Sequence, residues 1–307
     1  MGSEMGIRDR DRDPAKRLRL EQDRQTIVLF ETQQTTEKQI TIVKYSEAEY
    51  AACGIVSIEI TDEVNPGEEI LLSPPVHKKR QIEFFGDSIT CGYGVEGDVS
   101  DEIFDTADEN PTKSYSLLTA ELLDAEPNLV SWNGKGVITA YIGEEEDAQI
   151  DDSWLMPMLY EYTDAGLERD YFANEQSDWE TWNFEEYKPQ LVVIYLGTND
   201  ASYTRDIPDR QKQFEDAYVK LLHQVHEHNP NAAIITTIGA MDQRLNTTID
   251  AATACFAKVT PDCTIRYVQL PLQDEVDGLG TYWHPTEKTN RKCARLIADA
   301  AKEMLQW

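Results

Sequence analysis

The chain has 307 residues, with 57 acidic against 28 basic side chains and a formal net charge of −29. Hydrophobic residues make up 40%, and no apolar run reaches the roughly 18 residues of a transmembrane helix, so a globular fold is expected. A surface this acidic repels a phosphate backbone, which excludes general nucleic-acid or anionic-membrane partners and favours a neutral substrate.

Residues 1–20 are polar and charge-dense and carry no signal-peptide pattern, so they read as disordered or as an added tail. Location stays open: secreted if an export signal was removed, cytoplasmic otherwise. Three runs rich in Ile, Val and Thr, at 26–31, 39–44 and 54–61, alternate in part and predict antiparallel strands of a small β-rich module over 21–77. Asn65-Pro66-Gly67 is a turn signal, and Ser73-Pro74-Pro75 followed by His77-Lys78-Lys79-Arg80 marks a linker. From 78 to 307 the pattern alternates. Strands are expected at 81–85, 129–132, 190–196, 232–238 and 264–270, with helices at 111–124, 208–229, 245–258 and 286–306. Strands joined by helices of this length predict an α/β fold with a parallel sheet covered on both faces. An acidic, aromatic-rich insertion lies between residues 143 and 188.

The five cysteines show no CxxC pair or zinc-ligand spacing and read as free, mostly buried thiols; a Cys255–Cys263 bridge is not established by spacing. Glu144-Glu145-Glu146-Asp147 and Asp151-Asp152 lack calcium-loop spacing and read as a solvated loop.

Four strand-end segments carry chemistry together. Gly86-Asp87-Ser88-Ile89-Thr90 follows the strand at 81–85 and places a serine where α/β sheets collect ligands, although Ser88 alone also suits a helix N-cap. A serine needs a base. His223, His226 and His228 share one helix and its end and read as surface residues, and His77 lies in the linker. His284, in Tyr282-Trp283-His284-Pro285 between the last strand and the last helix, is the candidate. Trp132-Asn133-Gly134-Lys135-Gly136 and Leu196-Gly197-Thr198-Asn199-Asp200 end two further strands and offer a close-approaching backbone and an amide donor for a developing oxyanion.

With these blocks the sequence resembles the SGNH (GDSL-type) hydrolases, and within them carbohydrate esterase family two. The string from Ile82 to Gly94, the Trp283-His284-Pro285 ending and the β-rich segment upstream carry that likeness. The resemblance implies a flavodoxin-like SGNH domain preceded by a jelly-roll-like module, here short and incomplete. It implies removal of O-acetyl groups from plant polysaccharides such as xylan or mannan, without metal or organic cofactor. Ser88 would be nucleophile and His284 general base, with the Ser88 amide, Gly134 and Asn199 as oxyanion hole. Two positions depart from the pattern: Thr281 stands where the group usually has Asp, three residues before the histidine, and Tyr282 stands where closer relatives often do. The resemblance therefore implies a Ser–His dyad with a backbone carbonyl, expected from Trp283, orienting His284; Asp277 is the competing candidate. Trp283, beside the base, and Tyr93 are expected at the substrate, while Trp154, Tyr160, Tyr162, Tyr171, Phe172, Trp179, Trp182 and Phe184 are expected mostly to pack the insertion. Two other functions share these residues: a lipase-like esterase with an apolar groove, and a carbohydrate-binding protein whose hydrolase site has decayed.

Overall fold

The computed structural model describes residues 3–9, 16–31, 33, 37–50, 52–60, 72–143, 145 and 148–307. Strands β1 (Ser3–Asp9), β2 (Lys16–Leu20) and β3 (Ile40–Lys44) form an antiparallel sheet in the order β2-β1-β3. The first 20 residues, expected to be a disordered or added tail, thus supply two of the three strands. Met5 and Ile7 alternate into the interior, and Gly6 lies against the Tyr45 ring, where a Cβ would sit 2.3 Å from the ring carbon. The charges that suggested a solvated tail are paired across the ladder: buried Glu4 faces Arg19 in register and meets Arg17 Nε at 3.2 Å and Arg19 Nε at 3.6 Å.

Of the three expected strands only 39–44 is one. Residues 26–31 and 54–60 lie outside the strands, with Val56 79% exposed. Alternating β-branched residues make a strand only beside another backbone, and none pairs with them among the described residues. The turn at Asn65-Pro66-Gly67 falls outside the described residues. The small sheet docks through arginines: Arg17 Nη2 donates to the carbonyls of Thr106 (3.1 Å) and Glu109 (2.8 Å), and Arg19 Nη1 to Asp105 Oδ1 (3.0 Å).

From residue 80 the elements are β4 (Arg80–Gly86), α1 (Ser88–Cys91), α2 (Tyr115–Leu122), β5 (Ala125–Ser131), α3 (Met156–Leu159), β6 (Leu191–Tyr195), α4 (Ala201–Thr204), α5 (Pro208–His228), β7 (Ala233–Ala240), α6 (Asn246–Val259), β8 (Ile265–Leu272) and α7 (Glu287–Leu305). The five strands form one parallel sheet, β5-β4-β6-β7-β8. All of β6 is buried, as are Ile82, Phe84 and Phe85 of β4, so both faces of the central sheet are covered. Helix α2 packs with α7, and α5 with α6. The strand order reverses between β4 and β6, and in such sheets the crevice at that reversal, beyond the carboxyl ends, is where ligands bind.

Two boundaries differ from expectation. The helix expected at 111–124 is divided because Ser114 caps α2, its hydroxyl accepting from Ser116 N, after a separate turn at Pro111–Lys113. Strand β5 starts four residues earlier than expected and includes Pro127, which an edge strand tolerates because one side of its backbone is unpaired. The aromatics of the insertion do pack it: Trp154 lies 5.9 Å from Trp132 and 5.1 Å from Trp179, and Tyr160 lies 4.6 Å from Phe85, ring centre to ring centre. Tyr171 and Phe172 are exposed. His228, read as a surface residue, is half-buried: it stacks on Phe184 at 3.7 Å and meets Glu161 Oε1 at 2.9 Å. All five cysteines are free: Cys91, Cys263 and Cys293 are buried, Cys53 and Cys255 exposed. Among the described residues no helix is long and apolar enough to cross a membrane.

Candidate active site

Strand β4 ends at Gly86, where a Cβ would sit 2.1 Å from Thr90 Oγ1 and 2.9 Å from the Tyr195 carbonyl. Only glycine lets the chain turn here between two strands. Asp87 caps α1 through Oδ1, which accepts from Ile89 N at 3.0 Å. Ser88 therefore occupies the first position of a helix, where backbone N–H groups have no partner within the helix and point outward. Burial pushes the Asp87 carboxyl up to about 7, against the pull of the Ile89 N–H and with Asp200 adding to the rise.

His284 meets this serine from the far end of the chain: its Nε2 is 2.9 Å from Ser88 Oγ, and both residues are buried. Its Nδ1 lies 3.1 Å from the Thr281 carbonyl. A carbonyl only accepts, so Nδ1 carries the proton and Nε2 presents its lone pair to the serine hydroxyl. The orienting group is neither of the two expected. The Trp283 carbonyl accepts from Gln273 Nε2 at 2.7 Å, and the Asp277 carboxylate pairs with Lys292. The reason is a tight turn in which His284 N also donates to the Thr281 carbonyl (3.2 Å) and Gly280 N to the His284 carbonyl (2.8 Å). To make it, Tyr282 and Trp283 adopt left-handed backbone, φ 51° and 59°, at a cost of about 1–2 kcal/mol each. Bonds from Tyr282 Oη to the Glu102 carbonyl (3.1 Å) and from Thr281 Oγ1 to Asp108 Oδ2 (3.1 Å) hold it.

Tyr93, expected at the substrate, is buried, stacked on Phe104 at 3.7 Å and with the His284 ring at 4.7 Å. It thus packs between the Phe104 and His284 rings. Gly94, at φ +67°, gives its carbonyl to Thr281 N at 3.1 Å, and a Cβ there would lie 2.6 Å from the Thr281 carbonyl. Gly94→Ala is therefore expected to displace the carbonyl that orients His284 and to lower kcat/KM about 10- to 100-fold, measured as acetate release while circular dichroism shows the fold retained. Trp283, by contrast, is 60% exposed beside the base.

Gly134 has φ +72° with open space where a Cβ would stand. Asn199 Nδ2 donates to the Lys135 carbonyl at 2.9 Å, tying the end of β6 to that loop. Asp200, which sequence reasoning passed over, is fully buried and accepts from Val137 N and Ile138 N at 3.0 and 2.7 Å and from Thr139 N at 3.3 Å. Gly136 admits it, since a Cβ there would lie 2.5 Å from Asp200 Oδ2. The signal was present in the block Gly197-Thr198-Asn199-Asp200, whose last residue turns inward to the neighbouring loop as Asn199 does. Burial pushes Asp200 up to about 6, the three backbone donors pulling it back.

A model of the GDSL-like lipase/acylhydrolase family matches residues 84–292. The chain belongs to that family. Among relatives of this GDSL-like acylhydrolase, the cellulase/esterase CelE of Acetivibrio thermocellus is 33% identical over 247 residues, 78% of this chain and 28% of that protein. An acetylxylan esterase/glucomannan deacetylase of Cellvibrio japonicus is 27% identical over 298 residues, 97% of this chain and 75% of its own. The chain thus spans little more than a quarter of the first relative and three quarters of the second. A family two carbohydrate esterase from Clostridium thermocellum, solved in complex with cellohexaose, superposes with a TM-score of 0.79 at 25% identity, over 100% of this chain and 87% of that one. An acetyl xylan esterase from Butyrivibrio proteoclasticus shares the fold with a TM-score of 0.81 at 22% identity, covering 100% and 85% of the two chains.

The electrostatics of the GDSL-like site give a pH dependence. Burial pulls His284 down to about 4, the Thr281 and Tyr282 carbonyls pulling the other way. The ring is neutral, and able to accept a proton, far below the usual histidine value of about 6.5. The acid limb of kcat/KM reports the base of the free enzyme, so the rate is expected to hold its plateau below pH 6 and to halve near pH 4. Because the folded pKa is the lower one, the linked stability is complete above about pH 6.5 and is lost as pH falls towards 4. An acid limb centred near 6.5, in acetate release followed against pH, would rule out a buried neutral base.

Proposed function

We propose that this GDSL-like acylhydrolase is a serine esterase that removes O-acetyl groups from plant polysaccharides or oligosaccharides of the xylan or mannan type. The observation that carries the reading is the 2.9 Å bond from Ser88 Oγ to His284 Nε2, with the other ring nitrogen held by a carbonyl. His284 takes the serine proton as Oγ attacks the acetyl carbonyl. The outward N–H of Ser88, the backbone of Gly134 and the Asn199 amide receive the oxyanion. The proton then passes to the departing sugar oxygen, and water hydrolyses the acetyl-enzyme by the same route in reverse. The relatives named as acetylxylan esterase/glucomannan deacetylase support the substrate class.

Trp283 serves as a platform for a sugar ring, being exposed next to the base. Trp283→Ala is expected to raise KM several-fold on acetylated polysaccharide and to leave 4-nitrophenyl acetate little changed. An equal effect on both substrates would remove Trp283 from sugar binding.

The direct test is acetate release from acetylated xylan and acetylated mannan, with 4-nitrophenyl acetate and octanoate alongside, in wild type and Ser88→Ala. Release that disappears in the variant, with little octanoate turnover, is the expected result. Preference for octanoate would make the protein a lipase-like esterase. Polysaccharide binding without hydrolysis in wild type would make it a binding protein.

A further inference from the structure

Helix α1 begins with Ser88 and ends with a second chemical group. Cys91 Sγ is buried with two carboxylates, Glu47 from the turn after β3 and Glu109 from the loop that receives Arg17. One donor atom from each of the three lies within 4.8 Å of the others. Sγ is 3.5 Å from Glu47 Oε2, whose own chain N–H donates to Glu109 Oε2 at 3.1 Å. Glu47 is 8% and Glu109 0% exposed, and each has its Oε1 buried without a hydrogen-bond partner. Two adjacent carboxyls with orphaned oxygens are costly in a protein interior unless a cation or proton compensates them. The nearest ammonium, Lys44, is turned to the carbonyls of Ser46 and Glu47. All three residues line one cavity of about 290 Å³, between the segment after β3 and the β5 edge of the sheet.

We propose that Glu47, Cys91 and Glu109 bind one divalent transition-metal ion of the zinc class, which fastens the N-terminal segment to the end of α1. One thiolate with two carboxylates suits zinc and its first-row neighbours rather than magnesium or calcium, which take oxygen ligands. Three protein donors leave a fourth tetrahedral position for a water, for which the cavity has room. On ligation the cysteine thiol and each carboxyl that burial holds protonated give their protons to solvent. The three anionic ligands, the dication and the nearby Lys44 ammonium then balance. Glu47 Oε2 also accepts from Asn133 N at 2.5 Å, so the same ion would stiffen the backbone next to Gly134. This site is independent of the esterase reading, and its readouts do not pass through activity.

The experiment uses the full chain, stripped with a chelator, with the exposed Cys53 and Cys255 replaced by alanine. It is titrated with Zn²⁺ and, separately, with Co²⁺. Expected are one ion per chain, a thiolate-to-cobalt charge-transfer band in the near ultraviolet, and a rise in Tm with Zn²⁺. Cys91→Ser should abolish the band, and Glu109→Gln should weaken Zn²⁺ binding by more than about tenfold. If Cys91→Ser does not fold, Glu47→Gln and the band in the parent protein decide. Absence of stoichiometric binding overturns the proposal. So does binding that lacks the cobalt band and is instead lost in His223→Ala, which would move the ion to α5.

Discussion

His284→Ala is expected to lower kcat/KM for acetyl esters by about 10⁴-fold or more, with Tm little changed. Without a base at 2.9 Å the Ser88 hydroxyl keeps its proton, and the residual rate comes from the oxyanion donors and substrate binding alone. Ser88→Ala should cost about as much, and the double variant scarcely more, because the two groups act as one unit. The companion measurement separates a dyad from a triad. Asp277→Ala should change kcat by no more than about threefold, since its carboxylate is engaged by Lys292 while the ring is oriented by the Thr281 carbonyl. A loss of about 10⁴-fold in Asp277→Ala, comparable with removal of a working triad acid, would contradict the orientation described here. So would a His284→Ala protein that keeps more than a few per cent of its activity.

Asp200→Ala is expected to destabilise the fold by about 3–5 kcal/mol and to reduce kcat as well. The carboxylate is the acceptor for three consecutive backbone N–H groups, of Val137, Ile138 and Thr139. Alanine leaves them in a buried site with no acceptor, at about 1–3 kcal/mol each, less what relaxation recovers. In a domain of this size that is a fall in Tm of about 10 °C. The activity loss follows from position, because this segment continues from Gly134 and Lys135 and the latter's carbonyl holds Asn199. Asp200→Asn should be much milder. It keeps an oxygen acceptor and removes a charge whose burial is unfavourable, as the rise of this carboxyl to about 6 indicates. With a folded pKa above the unfolded one, the Asp200 contribution is complete below about pH 4 and lost as pH rises through 6. Thermal melts of the two variants at pH 7 decide the matter: equal destabilisation by Ala and Asn would show that charge, and not the acceptor, is what the loop needs.

Most of the α/β domain is legible in the sequence. Its strands are short apolar runs, its helices amphipathic, and each chemical block sits at a strand end, where a parallel sheet collects functional groups. Gly86, Ser88, Gly134, Asn199 and His284 could be singled out only together, because each block alone suits an ordinary turn or cap while four strand-end blocks in one chain supply a candidate nucleophile, base and donors. The N-terminal sheet was misread for a physical reason. Glu4, Arg17 and Arg19 look like a solvated tail until the antiparallel register pairs them, and the β-branched residues of 54–60 look like a strand but pair with no strand among the described residues.

The arrangement around the base was decided in three dimensions. A backbone carbonyl has no sequence signature, so nothing in residues 277–284 distinguishes Thr281 from Trp283 as the acceptor for Nδ1. The left-handed turn through Tyr282 and Trp283 makes that choice. Tyr93 follows the serine block closely and suggests a substrate contact, yet Phe104 and His284 enclose it. The 2.9 Å approach of His284 to Ser88 joins residues 196 positions apart. The candidate nucleophile, base and donors are thus legible in the sequence, because the chemistry proposed for them belongs to the side chain or to glycine. Which carbonyl orients the base, which carboxylate holds the Gly134 loop and what the charged N-terminus becomes were decided only by tertiary structure, because each depends on groups that the chain brings together across long separations.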